Sequence, residues 1–285
     1  MLREEGYSTS ELCRVLKVSR SSYYRRRKSK EVVPEHRAQS RRERENHELL
    51  KMITEIKTQH PFWGYRRIRA YMKTKRSILV SSNRVYRLMK AGGLLLEVKR
   101  YKAKRIPQTS KPKAERLNQW WGTDMTKFYV NTVGWVYLVV VMDWYSKKVL
   151  GYKLSTRSKA EDWIDALDMA VQTNCPFGAR EYQLNVMSDN GSQPTSMKYQ
   201  TVVDVLNINH VTTSYSNPKG NADTERFMRT FKEEVVYINE FDSFEEAQEA
   251  VDNFMNFYNH DYPHSTLGNV SPIDFETQLK YKNAA

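Results

Sequence analysis

Three carboxylates in the second half of this 285-residue chain are spaced as candidates for chemistry. Asp124 falls on a strand-like run, WWGTDMTKFYV. Asp189 falls just past a second such run, Leu184–Met187. Glu225 lies in the first turns of a helical run, GNADTERFMRTFKEE, with 35 residues between it and Asp189. Strand ends and a facing helix terminus are where α/β sheets gather their sites. Carboxylate oxygens are also the ligands that Mg²⁺ takes. Taken alone, the Glu225 helix has a bland reading. Glu225, Arg229 and Lys232 stack on one face at i, i+4 and i+7, and a solvated face with one Glu–Arg pair would look the same.

The charge around these acids is unevenly placed. Residues 1–116 hold 32 Lys+Arg against 11 Glu and no Asp, a net +21. Residues 117–285 hold 14 against 22, a net −8, which leaves the chain at +13. A basic front half suits a polyanion such as DNA, through phosphate contacts and counterion release. An acidic back half has carboxylates to spare for a metal-binding site. The longest apolar run, Val136–Met142, is far too short to span a bilayer. The N-terminus MLREEGYSTS lacks the apolar core of a secretory signal. Cys13 and Cys175 are the only cysteines, which excludes a disulfide framework and a Cys-rich zinc site. An intracellular protein is expected.

The elements follow from periodicity. STSELCRVLKVSRSSYYRRRK reads as two short helices broken at Val18-Ser19, a helix-turn-helix rhythm over residues 1–30. Residues 31–96 read as a second helical, helix-turn-helix-like DNA-binding domain. It has helices at Asn46–Thr58, Gly64–Lys73 and from about Ser82 to Gly92-Gly93. Arg66, Arg67 and Arg69 are expected to point outward, and Arg84, Arg87 and Lys90 to lie off the apolar face of the last helix. His36, His47 and His60 read as surface residues. Residues 97–116, with eight Lys/Arg and two Pro, read as a basic linker. From 117 to 285 the period changes. Three strands lead into a helix at Ser158–Thr173. A strand, a helix at Ser196–Leu206, a strand, the Glu225 helix and a long helix at Phe244–Tyr258 follow. The order β-β-β-α-β-α-β-α is that of a ribonuclease H-like core, a mixed central sheet flanked by helices, here with a C-terminal helical extension.

The motifs WGTDMTKF, SDNGSQPTS and NPKGNADTERFMRTFKEE resemble the DDE signature of OrfB transposases of the insertion-sequence-three family, within the integrase/transposase superfamily. The resemblance extends back through SRSSYYR and GYRRIRAYM…NRVYRLMKAGGL, and forward to YNHDYPHSTLGNVSPIDF, so it covers nearly the whole chain. It departs from the family at Pro194 and Tyr262. By this resemblance Asp124, Asp189 and Glu225 are the catalytic triad and hold two Mg²⁺ ions, with Mn²⁺ as a substitute. Asp124 bridges both ions, and the activity implied is metal-dependent DNA strand cleavage and strand transfer. The implied partners are double-stranded DNA at transposon ends and target, an upstream OrfA-type protein or fusion, and further copies of the chain on DNA. No membrane is involved, and the location implied is the bacterial cytoplasm at the nucleoid. Lys219, Asn221, Arg226, Arg229 and Lys232 are candidates for DNA contact beside the triad, as are Arg66, Arg67, Arg84 and Arg87. Asn190, Gly191 and Gln193 shape the loop after Asp189.

Other residues are set aside. Asp143 reads as a turn cap. Asp162, Asp165 and Asp168 read as solvated, Trp120 and Trp121 as core or rim aromatics, and His210 and His264 as structural or DNA-contact residues. Two further readings compete: a catalytically silent transposase remnant acting as a repressor, and a ribonuclease H-type nuclease that cuts without joining. The zinc-binding His/Cys front of retroviral-type integrases is absent.

Overall fold

The computed structural model describes residues 9–15, 17–22, 41–96, 112–213 and 220–284. The chain divides into two compact units, Met1–Lys51 and Met52–Ala285. In the first, α1 (Thr9–Val15) is followed by a helical turn at 20–22. The rest of the expected second short helix lies outside the described residues, as do most of the basic linker and Lys219. The helix α2 (Arg41–Gln59) begins five residues earlier than its apolar pattern suggests.

In the second unit, α3 (Tyr65–Lys75) and α4 (Ser82–Ala91) pack through Ile68 and Met72 on one and Val85 and Met89 on the other, all fully buried. Ser81 caps α4, its hydroxyl accepting from the Arg84 backbone N–H. These helices belong to the same compact unit as the acidic core.

The core sheet has five strands: β1 (Trp120–Val130), β2 (Gly134–Asp143), β3 (Val149–Ser155), β4 (Asn185–Ser188) and β5 (Asn209–Thr212). Their order is β3-β2-β1-β4-β5. The three-strand meander is antiparallel, whereas β4 pairs with β1 and β5 in parallel. This is the ribonuclease H-like arrangement. The two-residue side-chain period decides which helix each face meets. Trp121 joins Val139, Val141 and Leu150 in a core with Trp163, Leu167 and Tyr199 of α5 (Ala160–Asn174) and α6 (Met197–Val205). The alternate residues Gly122, Asp124 and Phe128 face α7 (Ala222–Phe231), where Phe128 meets Phe231 with ring centroids 5.8 Å apart. A π-helical turn, Lys232–Val236, then α8 (Phe244–His260) and α9 (Pro272–Ala284) complete the chain.

Asp162 departs from its solvated expectation. It is buried at the start of α5 and accepts from the Lys159 backbone N–H at 2.8 Å, closing the helix N-terminus. Asp165 is paired with Lys153. Asp168 accepts from Gln172.

Candidate active site

Asp124 sits mid-strand on β1, opposite Val140 of β2. Its Oδ1 accepts from the Met125 backbone N–H at 2.8 Å. Burial raises its pKa from 3.8 to about 6, and the negative charges of Asp189 and Glu225 push in the same direction. Lys232 pulls the other way. The three acids therefore share one field, although they come from β1, the end of β4 and α7.

Asp189 follows β4 on an exposed loop that its neighbours brace. Its Oδ1 accepts from the Gly191 backbone N–H at 3.1 Å. The Ser188 hydroxyl donates to the Asp189 carbonyl at 2.8 Å. His210 lies 2.9 Å from that hydroxyl through Nε2, and its Nδ1 accepts from Gln200. Both its nitrogens are thus engaged, and burial lowers its pKa. Asn190 donates to the Thr213 carbonyl, and Gln193 donates to Ser158.

Glu225 is fixed by the way α7 sits on β1. A side chain at Gly122 would place its Cβ 2.0 Å from Thr224 Oγ1, 2.3 Å from Trp144 Nε1 and 2.7 Å from Asn221 Oδ1. Only hydrogen fits there, and the helix N-terminus lies directly on the strand. Trp144 Nε1 donates to Thr224 Oγ1 at 3.2 Å, and Asn221 Nδ2 donates to the Thr123 carbonyl at 2.9 Å. Periodicity alone does not reveal this seat. The available signal was a lone glycine inside a strand pattern, which marks close backbone approach. Asn221 is thereby corrected as a DNA-contact candidate: it is 3% exposed and its amide is turned into the seat.

The shared face of Glu225, Arg229 and Lys232 is also divided. Arg229 is exposed and pairs with Glu233 at 2.9 Å. Lys232 begins the π-helical turn and is the cation that acts on Asp124. Arg66 is exposed against the Tyr65 ring. Arg67 departs from its outward expectation: it is half-buried, its guanidinium 4.7 Å from the Tyr262 ring centroid and 5.8 Å from that of Trp63. Arg87 donates to the Asn83 carbonyl on α4.

His60 is not a surface residue. Its ring lies nearly parallel to those of Trp63 and Phe257, with centroids 3.9 and 5.1 Å away, and its Nδ1 lies 3.0 Å from Glu234 Oε2. Trp63 Nε1 donates to Glu234 Oε1 at 2.7 Å. Glu234, which sequence reasoning passed over, thus joins the α2–α3 turn to the helical segment that carries Glu225. Of the residues set aside, Asp143 caps the turn after β2, accepting from the Tyr145, Ser146 and Asn118 backbone N–H groups. Trp121 is core and Trp120 stacks on Trp144. His264 has its pKa lowered to about 3, first by burial and then by Arg67 and Lys147, and is neutral.

The donor set fits a hard divalent cation. All three groups offer oxygen, and Asp124, buried beside two further carboxylates, has its pKa raised first by that burial and then by their charges. Among the described residues, no three His, Cys, Asp or Glu are gathered closely enough to form a ready-made metal cage.

Comparison with known proteins gives the family. Residues 114–218 and 206–272 match two integrase core domain families, and residues 43–103 match an HTH-like domain. The transposase for insertion sequence element IS904 of Lactococcus lactis subsp. lactis (strain IL1403) is 32% identical over 70% of this chain and 81% of its own length. The chain belongs to the insertion-sequence transposases. The family link extends over most of its length: InsK of element IS150 from Escherichia coli (strain K12) is 29% identical over 95% of this chain and 94% of its own. Transposase InsF for IS3fB, from the same strain, is 34% identical over 56% of this chain and 54% of its own. Members of this integrase-core family are polynucleotidyl transferases, and the IS3 grouping is that of the sequence motifs. Among the described residues no helix is long and apolar enough to cross a membrane.

Proposed function

We propose that the chain is the catalytic protein of an insertion sequence, cutting a DNA strand and joining the resulting end to target DNA, with Asp124, Asp189 and Glu225 as the reacting centre. The observation that carries this reading is the field at Asp124, which burial and two further carboxylates raise together. Two divalent cations bound by these acids would activate the attacking oxygen and stabilise the leaving one. The protein's own part is positional. The Gly122 seat holds the Glu225 helix against β1, and the Ser188–His210–Gln200 chain braces the Asp189 loop. Lys232 attracts the anionic phosphodiester toward Asp124. Neither His210 nor His264 is placed to act as a general base: His210 is occupied on both nitrogens, and burial and nearby cations make His264 a weak base with its pKa lowered to about 3. Water as nucleophile gives cleavage, and a DNA 3′-hydroxyl gives strand transfer.

In this proposal Mg²⁺ is the working ion and Mn²⁺ substitutes. The site is used at the nucleoid on double-stranded DNA, by several copies of the chain and with an OrfA-type partner or fusion. The 117–285 region supplies the chemistry, and the helices before it supply end binding. Assays of Asp124→Asn, Asp189→Asn and Glu225→Gln on labelled element ends with Mg²⁺ test it. Cleavage and joining are expected to fall to background while DNA binding persists, since affinity rests on cations. Joining near the wild-type level by any of the three overturns the assignment. Cleavage without joining by the wild-type chain would instead support the nuclease reading.

A further inference from the structure

A crevice of about 650 Å³ lies between α3, α7 and the segment after α8. Arg66 and Arg67 reach it from α3, and Arg226 and Arg229 from α7, with Thr230, Ser265 and Glu233 along its wall. A smaller recess continues from it past Arg67 and Arg226 to Tyr262 and His264.

Four guanidinium groups meet in this crevice with one carboxylate, Glu233, on its wall. Some cations of the same unit are paired, Lys75 with Asp261, Lys148 with Glu276 and Lys153 with Asp165, and Lys147 meets Asp223 on the wall of the recess, whereas Arg69, Arg87 and Arg180 donate to backbone carbonyls. In the crevice Arg229 has Glu233. Arg66, Arg67 and Arg226 have no carboxylate partner among the described residues, and Arg66 and Arg67 lie instead over aromatic rings. Three guanidinium groups without counter-charges repel one another, so an acidic ligand would lower the energy of the set. The recess adds polar atoms of the same demand. Tyr262 is 2% exposed. Its hydroxyl, beside Thr230, makes no well-formed hydrogen bond, and His264 Nε2 is buried without a partner. The α3 N-terminus opens here too. Gly64 provides no side-chain cap, no acid lies in the first turn, and a Cβ at Gly64 would meet nothing within 4 Å. Its free N–H groups therefore add to the positive field of Arg66 and Arg67. The walls are held in place by the Glu234 contacts to Trp63 and His60 and by the Arg67–Tyr262 contact.

We propose that this crevice is a phosphodiester-binding track built jointly by α3 and α7, which holds the DNA backbone on the Arg226 side of the helix that carries Glu225. Guanidinium forks bind phosphate oxygens two at a time, so three to four arginines suit about three consecutive phosphates. The helical repeat sets Arg226 about 100° around α7 from Glu225. DNA held in the crevice therefore runs beside the carboxylates and leaves them open. The proposal rests on the reading that DNA is the substrate.

The test uses the full chain and a fluorescent duplex carrying an element end, titrated by anisotropy at several salt concentrations. The triple variant Arg66→Ala/Arg226→Ala/Arg229→Ala is expected to lower the salt slope by about three, roughly one per lost phosphate contact. The comparison variant Lys153→Ala/Arg180→Ala/Lys198→Ala removes the same charge from outside the crevice and is expected to keep the slope. Arg66→Lys/Arg226→Lys/Arg229→Lys is expected to retain most of it. Ser265→Glu, which places a carboxylate on the exposed wall, is expected to weaken binding at least tenfold and decides the matter if the triple alanine variant fails to fold. A wild-type slope in the triple alanine variant, or an equal loss in the comparison variant, overturns the crevice. If the wild-type chain neither binds nor joins element ends, the functional reading fails instead. If it does both and the crevice variants match it, the crevice alone fails.

Discussion

The two long sides of α7 make opposite demands. Toward β1 the helix brings Glu225 beside Asp124, whose pKa is raised to about 6 first by burial and then by the negative charges of Asp189 and Glu225. Toward α3 it carries Arg226 and Arg229 into a crevice with Arg66 and Arg67. One helix thus separates an excess of negative charge from an excess of positive charge. The same unit also pairs charge, closing Lys147 on Asp223 at 2.9 Å and Lys148 on Glu276 at 3.1 Å. On the two sides of α7, ligands of opposite sign would complete the excess: divalent cations on one side and phosphates on the other.

The most severe way to break this comparison is to move the helix. Gly122→Ala drives a methyl group into Thr224, Trp144 and Asn221, where the nearest atoms lie at 2.0, 2.3 and 2.7 Å. All three side chains are hydrogen-bonded to hold α7, so relief requires the helix to lift. A loss of about 3 kcal/mol in stability is expected, at the upper end for overpacking. Joining should fall about a hundredfold in whatever fraction stays folded, because Glu225 is displaced from Asp124. Urea unfolding and single-turnover joining measure the two effects, and a variant unchanged in both would show that the seat does not position Glu225.

Glu234 is the next largest lever. It accepts from buried Trp63 at 2.7 Å and meets His60 at 3.0 Å. Glu234→Ala leaves the indole N–H unsatisfied, which is expected to remove about 2–3 kcal/mol. Glu234→Gln keeps an acceptor for Trp63 and should lose less. If α3 is held to the core through this contact, the alanine variant should also show a shallower salt slope on DNA, because the two walls of the crevice are no longer fixed. Equal stability of wild type and Glu234→Ala would remove the contact from the account.

Much of this was legible in the residues because the signals are local. The strand runs, the helix starts near Ser82 and Ser196 and the turn at Asp143 are set by neighbours within a few positions, and the structure has them. The field at Asp124 joins the three acids that the motifs singled out. The failures share a different cause. His60 in the turn after α2 and Arg67 on α3 carry polar groups that look solvent-bound in isolation, yet a distant segment, residues 234–262, covers them. Asp162 and Asn221 look like surface polar residues until their backbone partners are known. The helical repeat also runs on smoothly in the sequence from Glu225 to Lys232. The π-helical turn at Lys232–Val236 interrupts it and turns Glu234 toward Trp63, and no local propensity announces that turn.

A smaller change sharpens the negative side of the comparison. Asp124 has a folded-state pKa of about 6 against an ordinary 3.8. The folded protein therefore holds this proton more tightly than the unfolded chain does. The stability it contributes is present in full below about pH 4 and is lost as the pH rises through about 6. Asp124→Asn, which cannot ionise, is expected to be about 1–2 kcal/mol more stable than wild type at pH 7 in chelator, and to lose the decline between pH 4 and 7. Mg²⁺ should narrow the gap by stabilising wild type alone. Parallel pH slopes for the two proteins would remove Asp124 as the source of the strain.

The smallest effect on stability belongs to the positive side, and it is informative because it is small. Arg229 pairs with Glu233 across one helical turn, with 69% of the arginine side chain exposed. Exposed i,i+4 pairs contribute about 0.3–0.5 kcal/mol to a helix. Arg229→Ala should therefore shift the unfolding midpoint barely beyond error. The same substitution removes one phosphate contact if the crevice holds DNA, and the salt slope should fall by about one. Glu233→Ala gives the complementary result. It releases Arg229 from its only carboxylate among the described residues, so DNA affinity should rise while stability again changes by no more than a few tenths of a kcal/mol. A surface pair with no ligand to serve would leave DNA binding untouched in both variants. Opposite shifts in affinity at nearly constant stability would mean that Arg229 divides its charge between Glu233 and a phosphate.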